Sequence, residues 1–343
     1  MTTAPGTTPV IAAVGTALPG PAVGNAQLEN TIGASAQWIE MFIGTRTRHF
    51  AVDIETGEQH TTLTDLAERA AFAALSQART DPRTIDFVVL ATASPDELMP
   101  ATVNQVADRL GLDQIPTYQL QSGCAGAVQA LDLACMLLQR PGHRTGLVIG
   151  GDVCAKHLLL DRDFTRLPSH ELVNYVLFGD GAGAVVVTDD ERASGMCLRM
   201  VLNRFTGQGR APGQIIRWFG AASGDGPAPA AEEDYKAIET RVPSLATETL
   251  WELADEVDWK ADELDFVLPP QLSGRMTGLI TEHLGVPHAR EISCVADTGN
   301  NGNALPFFQL EQLANVIAPD ERAVAITVES SKWLKGGFAV EAR

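Results

Sequence analysis

IPTYQLQSGCAGAVQALDLACMLLQR, residues 115–140, decides how this chain is read. Ile115 to Leu120 form a short strand pattern, Ser122-Gly123 a tight turn, and Cys124 opens a long apolar helix. A thiol at a helix N-terminus faces unpaired amide N–H groups and the positive end of the helix dipole. Both favour thiolate, so the Cys124 pKa is expected to fall below the free value of ~8.5. The neighbours Gly123, Ala125, Gly126 and Ala127 are small. They leave room for an acyl group and let backbone N–H groups face the oxyanion of an attacked thioester. Cysteine is more often a buried packing residue. Cys135, Cys154, Cys197 and Cys294 lack such surroundings and read that way.

On either side, strand and helix patterns alternate. Val10 to Val14 is a first strand, and Leu63 to Gln77 is an amphipathic helix introduced by threonines. Phe87 to Ala93 is a continuous apolar run, as in a strand covered on both faces. Helix Ala101 to Leu110 follows, and strands Gly146 to Gly151 and Gly183 to Thr188 lie beyond the cysteine segment. The second half repeats the scheme. It has strands at Cys197 to Asn203 and Phe266 to Leu268, and a helix from Ala237 to Val257 interrupted by Pro243. Helix Gly302 to Val316 and the closing strands Val324 to Val328 and Gly337 to Glu341 complete it. Gly220 to Ala231 is a small-residue loop. The pattern is that of an α/β protein with covered sheets. Its two similar halves, residues 1–190 and 191–343, meet near Thr188 to Gly195.

The 343 residues are 45% hydrophobic and 20% charged, the composition of a globular protein. No apolar run reaches membrane-spanning length, and MTTAPGTTPV lacks the segments of a secretory signal, so a cytoplasmic location is expected. The five cysteines form no CxxC pair, which speaks against a zinc site or a disulfide framework. No metal or other cofactor is called for. A formal charge of −18 disfavours nucleic acid and anionic membranes as partners. Gly195 to Phe219 breaks the trend, holding Arg199, Arg204, Arg210 and Arg217 with no acidic residue. It reads either as scattered exposed arginines or as a docking patch for an acidic partner.

Cys124, VLFGDGAGAVVV at Val176 to Val187 and TGNNGNALP at Thr298 to Pro306 occur together and in this order. With GTALPGPAVGNAQLE and QWIEMFIGTRTRHF near the start, the chain resembles the ketoacyl-acyl-carrier-protein synthase III family over nearly its whole length. The resemblance implies a thiolase fold, five-layered αβαβα, usually as a homodimer, and covalent acyl transfer through a cysteine thioester. The glycines around Phe178 are then a structural turn before a central strand; no lysine follows, as a phosphate loop would need. In such enzymes a histidine and an asparagine hold the thioester carbonyl of the second substrate. Asn300 takes the asparagine's place, with Asn301 and Asn303 as close competitors.

The histidine's place is taken by proline. Where the family has Val-Pro-His-Gln-Ala-Asn, this chain has LPPQLS, residues 268–273, followed by a matching Arg275. Pro270 has neither donor nor ionisable group, so ordinary decarboxylative condensation should be weak. A glycine run after the penultimate strand is replaced by ESSKW, Glu329 to Trp333. There Ser331 or a neighbour is the expected oxyanion donor, and Ser330, Ser331 and Lys332 put side chains on the pocket wall. His157 and His170 are candidate replacement bases, although loop histidines are usually just solvated. Trp38 matches the family's adenine-stacking tryptophan, but Phe42 stands where an arginine grips coenzyme A. That loss, Arg275 and the stretch around Arg210 favour an acyl-carrier-protein thioester over acyl-coenzyme A. Met99 matches a position that limits the partner's acyl pocket in the family dimer, and methionine leaves pocket size adjustable.

The leading reading is an acyltransferase of specialised, polyketide-like metabolism that loads Cys124 and passes the acyl group to a small-molecule acceptor. A condensing enzyme with a substituted base, and a non-catalytic partner subunit, are the alternatives.

Overall fold

The computed structural model describes residues 8–158, 164, 167, 169–217 and 231–343. The small-residue loop expected at Gly220 to Ala231 thus lies outside the described residues except for its last residue. Ten strands form one large mixed sheet. They are β1 (Val10–Ala17), β2 (Phe87–Thr92), β3 (Thr117–Gln121), β4 (Thr145–Asp152), β5 (Gly181–Thr188), β6 (Met196–Phe205), β7 (Phe266–Leu268), β8 (Arg290–Glu291), β9 (Arg322–Glu329) and β10 (Leu334–Ala342). Their spatial order is β8-β7-β9-β10-β6-β1-β5-β4-β2-β3.

That order is one pattern written twice. In the first half β1 and β5 are antiparallel, as are β5 and β4, while β4, β2 and β3 run parallel. In the second half β6, β10 and β9 repeat the antiparallel pairings, and β9, β7 and β8 the parallel ones. The halves join edge to edge, where Val10 and Ile11 pair with Cys197 and Met196. We propose the connection between Thr188 and Met196 as their boundary.

The helices are α1 (Asn25–Ile32), α2 (Ala36–Phe42), α3 (Leu63–Ala78), α4 (Thr102–Arg109), α5 (Gly126–Leu138), α6 (Ser169–Leu177), α7 (Tyr235–Glu256), α8 (Gly274–Leu284), α9 (Val295–Thr298) and α10 (Leu305–Ala314). α5 packs on β2 and β4 of its own half and on β6 and β10 of the other, while α10 packs on β1, β5 and α5. These two form the central helical layer. α3 with α4 covers the outer face of the first half, and α7 with α8 that of the second. The result is the five-layered αβαβα thiolase fold. Burial follows from it: every residue of β2 and β5 is buried, because helices cover both faces.

Local chemistry accounts for the outer helix. Thr62 accepts from the Asp65 amide and Asp65 accepts from the Thr62 amide, a capping box that starts α3. α3 then turns Ala67, Ala70, Ala71 and Ala74 inward. A side chain at Gly15 would meet the backbone of Ala70 and Ala74, so glycine permits the close approach of α3 to β1.

One expectation fails. α7 runs unbroken through Pro243, with Val242, Leu245, Ala246 and Leu250 buried on either side of it. Packing of that face onto the sheet outweighs the missing N–H of the proline. The sequence patterns also left α1, α2, α6, α8 and α9 unassigned. No described helix is long and apolar enough to cross a membrane.

Thr62→Ala should lower stability by about 1 kcal/mol through loss of the α3 cap. A urea midpoint unchanged from that of the parent protein would count against the cap.

Candidate active site

Cys124 lies in the turn between β3 and α5, just ahead of the first helical residue, and the Gly126 amide donates to the Gly123 carbonyl at 2.9 Å. All five cysteines are free, and Cys197 and Cys294 are buried as packing residues. Cys124 opens onto a pocket of about 290 Å³. Its wall comes from both halves: Phe178 after α6, Pro270 and Ser273 before α8, Arg275 at the start of α8, and Asn300 between α9 and α10. None of the described lining residues is a histidine.

The asparagine loop divides its work. Asn300 is buried, its Nδ2 donates to the Leu272 carbonyl at 3.2 Å, and its Oδ1 accepts from the Gly302 amide at 3.1 Å. Asn301 and Asn303 do not line the pocket. Asn301 donates to the carbonyls of Asp180 and Thr298. Asn303 donates to the Ser122 carbonyl and to Asp152, both at 2.9 Å. Of the three, only Asn300 presents itself to a substrate; the other two hold the backbone.

The Phe178 segment is structural in the way its glycines suggested. Asp180 is fully buried and accepts from the amides of Ala51 at 2.7 Å and Ala155 at 3.0 Å, and burial pushes its carboxyl up to about 7. Phe178 bridges to Asn300, tying this turn to the asparagine loop.

The thiol overturns the expectation of a low pKa. Burial pushes it well above the ordinary thiol value, and the carboxylates of Glu329 and Asp152 push it further; the backbone N–H lowers it too little to compensate. Dehydration and two like charges outweigh the helix dipole. Asp152 is also raised by burial, and it gathers Thr92, the amide of Ala93, Ser94 and Asn303 around its oxygens.

Glu329 is the group that sequence reasoning left without a role. It ends β9 only 2% exposed, and its carboxylate lies against Gly123, where any side chain would collide with it. The only hint was a carboxylate closing a strand that is apolar from Ala323 to Ile326.

Of the expected oxyanion donors, Ser331 itself is taken, its amide donating to Glu329 Oε1 at 3.1 Å. Ser330 reaches the pocket, whereas Lys332 donates to the Arg210 carbonyl at 2.5 Å and Trp333 Nε1 to the Ala211 carbonyl at 2.6 Å. These two side chains latch a loop instead of lining the site.

Other assignments separate in space. His157 is exposed and away from the pocket. The side chain of His170 lies outside the described residues. Trp38 packs on Phe42 with ring centroids 6.2 Å apart, and Phe42 and Arg275 stand at the pocket, Arg275 donating to the Met41 carbonyl at 3.4 Å. Met99 is 83% exposed and lines nothing in its own chain. The arginine-rich stretch is largely neutralised, because Arg199 pairs with Glu341, Arg204 with Glu252 and Arg217 with Glu232. Arg210 is the one of the four for which the described residues show no ion pair. Among the described residues no His, Cys, Asp or Glu cluster could hold a metal.

A cysteine at the head of a central-layer helix, facing an asparagine loop across a thiolase fold, defines an acyl-transferring enzyme of the condensing class. Comparison with known proteins agrees. Residues 118–203 match the family model of 3-oxoacyl-(acyl-carrier-protein) synthase III. The beta-ketoacyl-(acyl-carrier-protein) synthase III 3 of Streptomyces coelicolor is 32% identical over 307 residues, spanning 86% of this chain and 85% of that protein. The chain belongs to the ketoacyl-acyl-carrier-protein synthase III family. Among solved structures, the tetronic acid condensing enzyme AbyA1 shares 53% identity at a TM-score of 0.95, covering 98% of this chain and 100% of that one. The synthase III of Pseudomonas aeruginosa shares 27% at 0.82, with 98% of each chain covered.

Gly123→Ala should abolish loading of Cys124 from acyl thioesters, since its methyl would fall on the Glu329 carboxylate. Lys332→Ala should change loading by less than about twofold, within the usual range of surface changes. Intact-mass time courses of both variants check the contrast.

Proposed function

We propose that this enzyme carries an acyl group as a thioester on Cys124 and transfers it, without decarboxylation, to a nucleophilic carbon of a second acyl substrate in specialised metabolism. The observation that carries the reading is the pocket itself. Cys124 and Asn300 share it, and Pro270 occupies its wall with no histidine among the described residues that line it. Asn300 alone is a poor device for stabilising the enolate left by a departing carboxylate. An acceptor carbon already flanked by two carbonyls needs no decarboxylation to become nucleophilic. The likeness to a tetronic acid condensing enzyme supports such an acceptor.

The ring named by that likeness is a five-membered hydroxylated lactone. Building it from two thioesters takes one C–C bond and one C–O bond. The C–C bond forms as the acceptor carbon attacks the Cys124 thioester; the C–S bond breaks, and the acceptor's proton returns to the thiol. A hydroxyl on the transferred acyl group then attacks the acceptor's own thioester and releases the carrier thiol. The largely apolar pocket wall, with Val173, Leu177, Ile238 and Val242, suits an extended aliphatic substrate.

Donor and acceptor are acyl-carrier-protein or coenzyme A thioesters. With Phe42 against Trp38 in place of a cation, the carrier-protein form is favoured. A homodimer completes the proposal, because Leu98 and Met99 stand 72% and 83% exposed, as side chains covered by a second copy would.

Incubation with a 2-hydroxyacyl thioester should add one acyl mass at Cys124, and Cys124→Ala should add none. A 3-oxoacyl thioester should then discharge the acyl-enzyme to a cyclised product. A malonyl thioester should release no carbon dioxide. Brisk carbon dioxide release, or a Cys124 that stays unmodified, would refute the reading.

A further inference from the structure

Glu329 is a buried carboxylate with no role in the fold. Its Oε1 accepts one amide, that of Ser331, while its Oε2 is shielded from solvent and has no hydrogen-bond partner. Among the described residues it makes no ion pair. A buried carboxylate oxygen left without a partner is costly to the fold.

Its position says what it does. The last residue of β9 projects onto Gly123, the residue before the nucleophile, and the absence of a side chain there makes room for the carboxylate. Among the described residues, the ionisable groups whose charge acts on the Cys124 thiol are Glu329 from β9, Asp152 from β4, Glu233 from the strand Ala231–Glu233, and Cys154 beyond β4. The oxygens of Asp152 are occupied by donors from Thr92, Ser94, Ala93 and Asn303. Glu233 accepts from Gln214 at 2.5 Å. Glu329 Oε2 is the acceptor left open.

We infer that Glu329 is the catalytic proton carrier of this site, doing at the sulfur the work for which the described pocket residues offer no histidine; the inference rests on the acyl-transfer reading above. When Cys124 attacks the donor thioester, its proton passes to Oε2 as the new S–C bond forms. As the old C–S bond breaks, Glu329 returns that proton to the departing carrier thiolate. In the second half-reaction Oε2 takes the proton from the acceptor carbon while the C–C bond forms, and delivers it to the Cys124 sulfur as it leaves. Each cycle ends with thiol and carboxylate as they began. Burial and neighbouring carboxylates hold Cys124 as a thiol at rest. Such a nucleophile needs a proton acceptor at the moment of attack.

The test alkylates Cys124 in the full chain with iodoacetamide across pH, read by peptide mass. This reagent needs a thiolate and no acyl substrate. A thiol sharing one proton with a carboxylate titrates as a coupled pair. The wild-type rate should therefore show a level stretch at low pH before it climbs. In Glu329→Gln the level stretch should vanish and the climb begin at lower pH, because one repelling charge is gone. Loading of Cys124 from an N-acetylcysteamine acyl thioester should fall about 10²- to 10⁴-fold in the same variant. A structural role would slow both reactions together. A wild-type profile with a single titration and no level stretch overturns the inference even if the variant fails to fold. Acyl loading of Glu329→Gln at the wild-type rate overturns it as well. A level stretch in a wild-type chain that accepts no acyl thioester would sink the acyl-transfer reading and leave the Glu329 assignment standing.

Discussion

The carboxylate of Asp152 is the point on which the site's construction depends. It ends β4 fully buried, and its oxygens draw in Thr92, Ala93 and Ser94 from the end of β2 and Asn303 from the asparagine loop of the other half. Asn303 in turn holds the Ser122 carbonyl, two residues before the nucleophile. One charge thus stitches the thiol's turn to the loop that carries Asn300. Gly302 is left-handed, with φ 55°, and packs so closely on Asp152 that no side chain fits. A buried carboxylate satisfied by this many donors is costly to dismantle, so the two halves cannot slide apart without exposing an unpaired charge.

That stitching concentrates negative charge where a nucleophile must become an anion. The helix dipole at the start of α5 works in the opposite direction and is outweighed by the desolvation of the half-buried thiol and by the charges of Glu329 and Asp152. An enzyme built this way does not rest as a thiolate awaiting substrate. Its reactivity has to be generated during attack, which makes the placement of a proton acceptor more decisive than the acidity of the sulfur. The proline in the pocket wall fits this economy: it adds shape and removes no charge.

The duplicated architecture was legible in the chain because it rests on periodicity. Continuous apolar runs at Phe87 and Gly181, the threonine-capped helix at Leu63 and the small residues around Cys124 each signal their structure within a few neighbours. The unbroken α7 was not legible, since Pro243 is a breaker locally and only the apolar face on either side of it, packed onto the sheet, overrides that preference. The arginine stretch misled for a related reason. Its partners Glu341, Glu252 and Glu232 come from other elements, so the sequence displayed the cations without the carboxylates that neutralise them.

Residue order by itself carried the alternation of strands and helices and the small-residue turn and helix around Cys124, because each is encoded by residues close together in the chain; the asparagine loop was legible only through the family resemblance. Tertiary structure alone decided which asparagine faces the pocket, that Ser331 gives its amide to Glu329, and that Glu329 stands beside the Gly123–Cys124 turn. These are contacts between segments up to about two hundred residues apart. Their electrostatic consequences depend on distance and exclusion of water, and neither quantity is written along a chain.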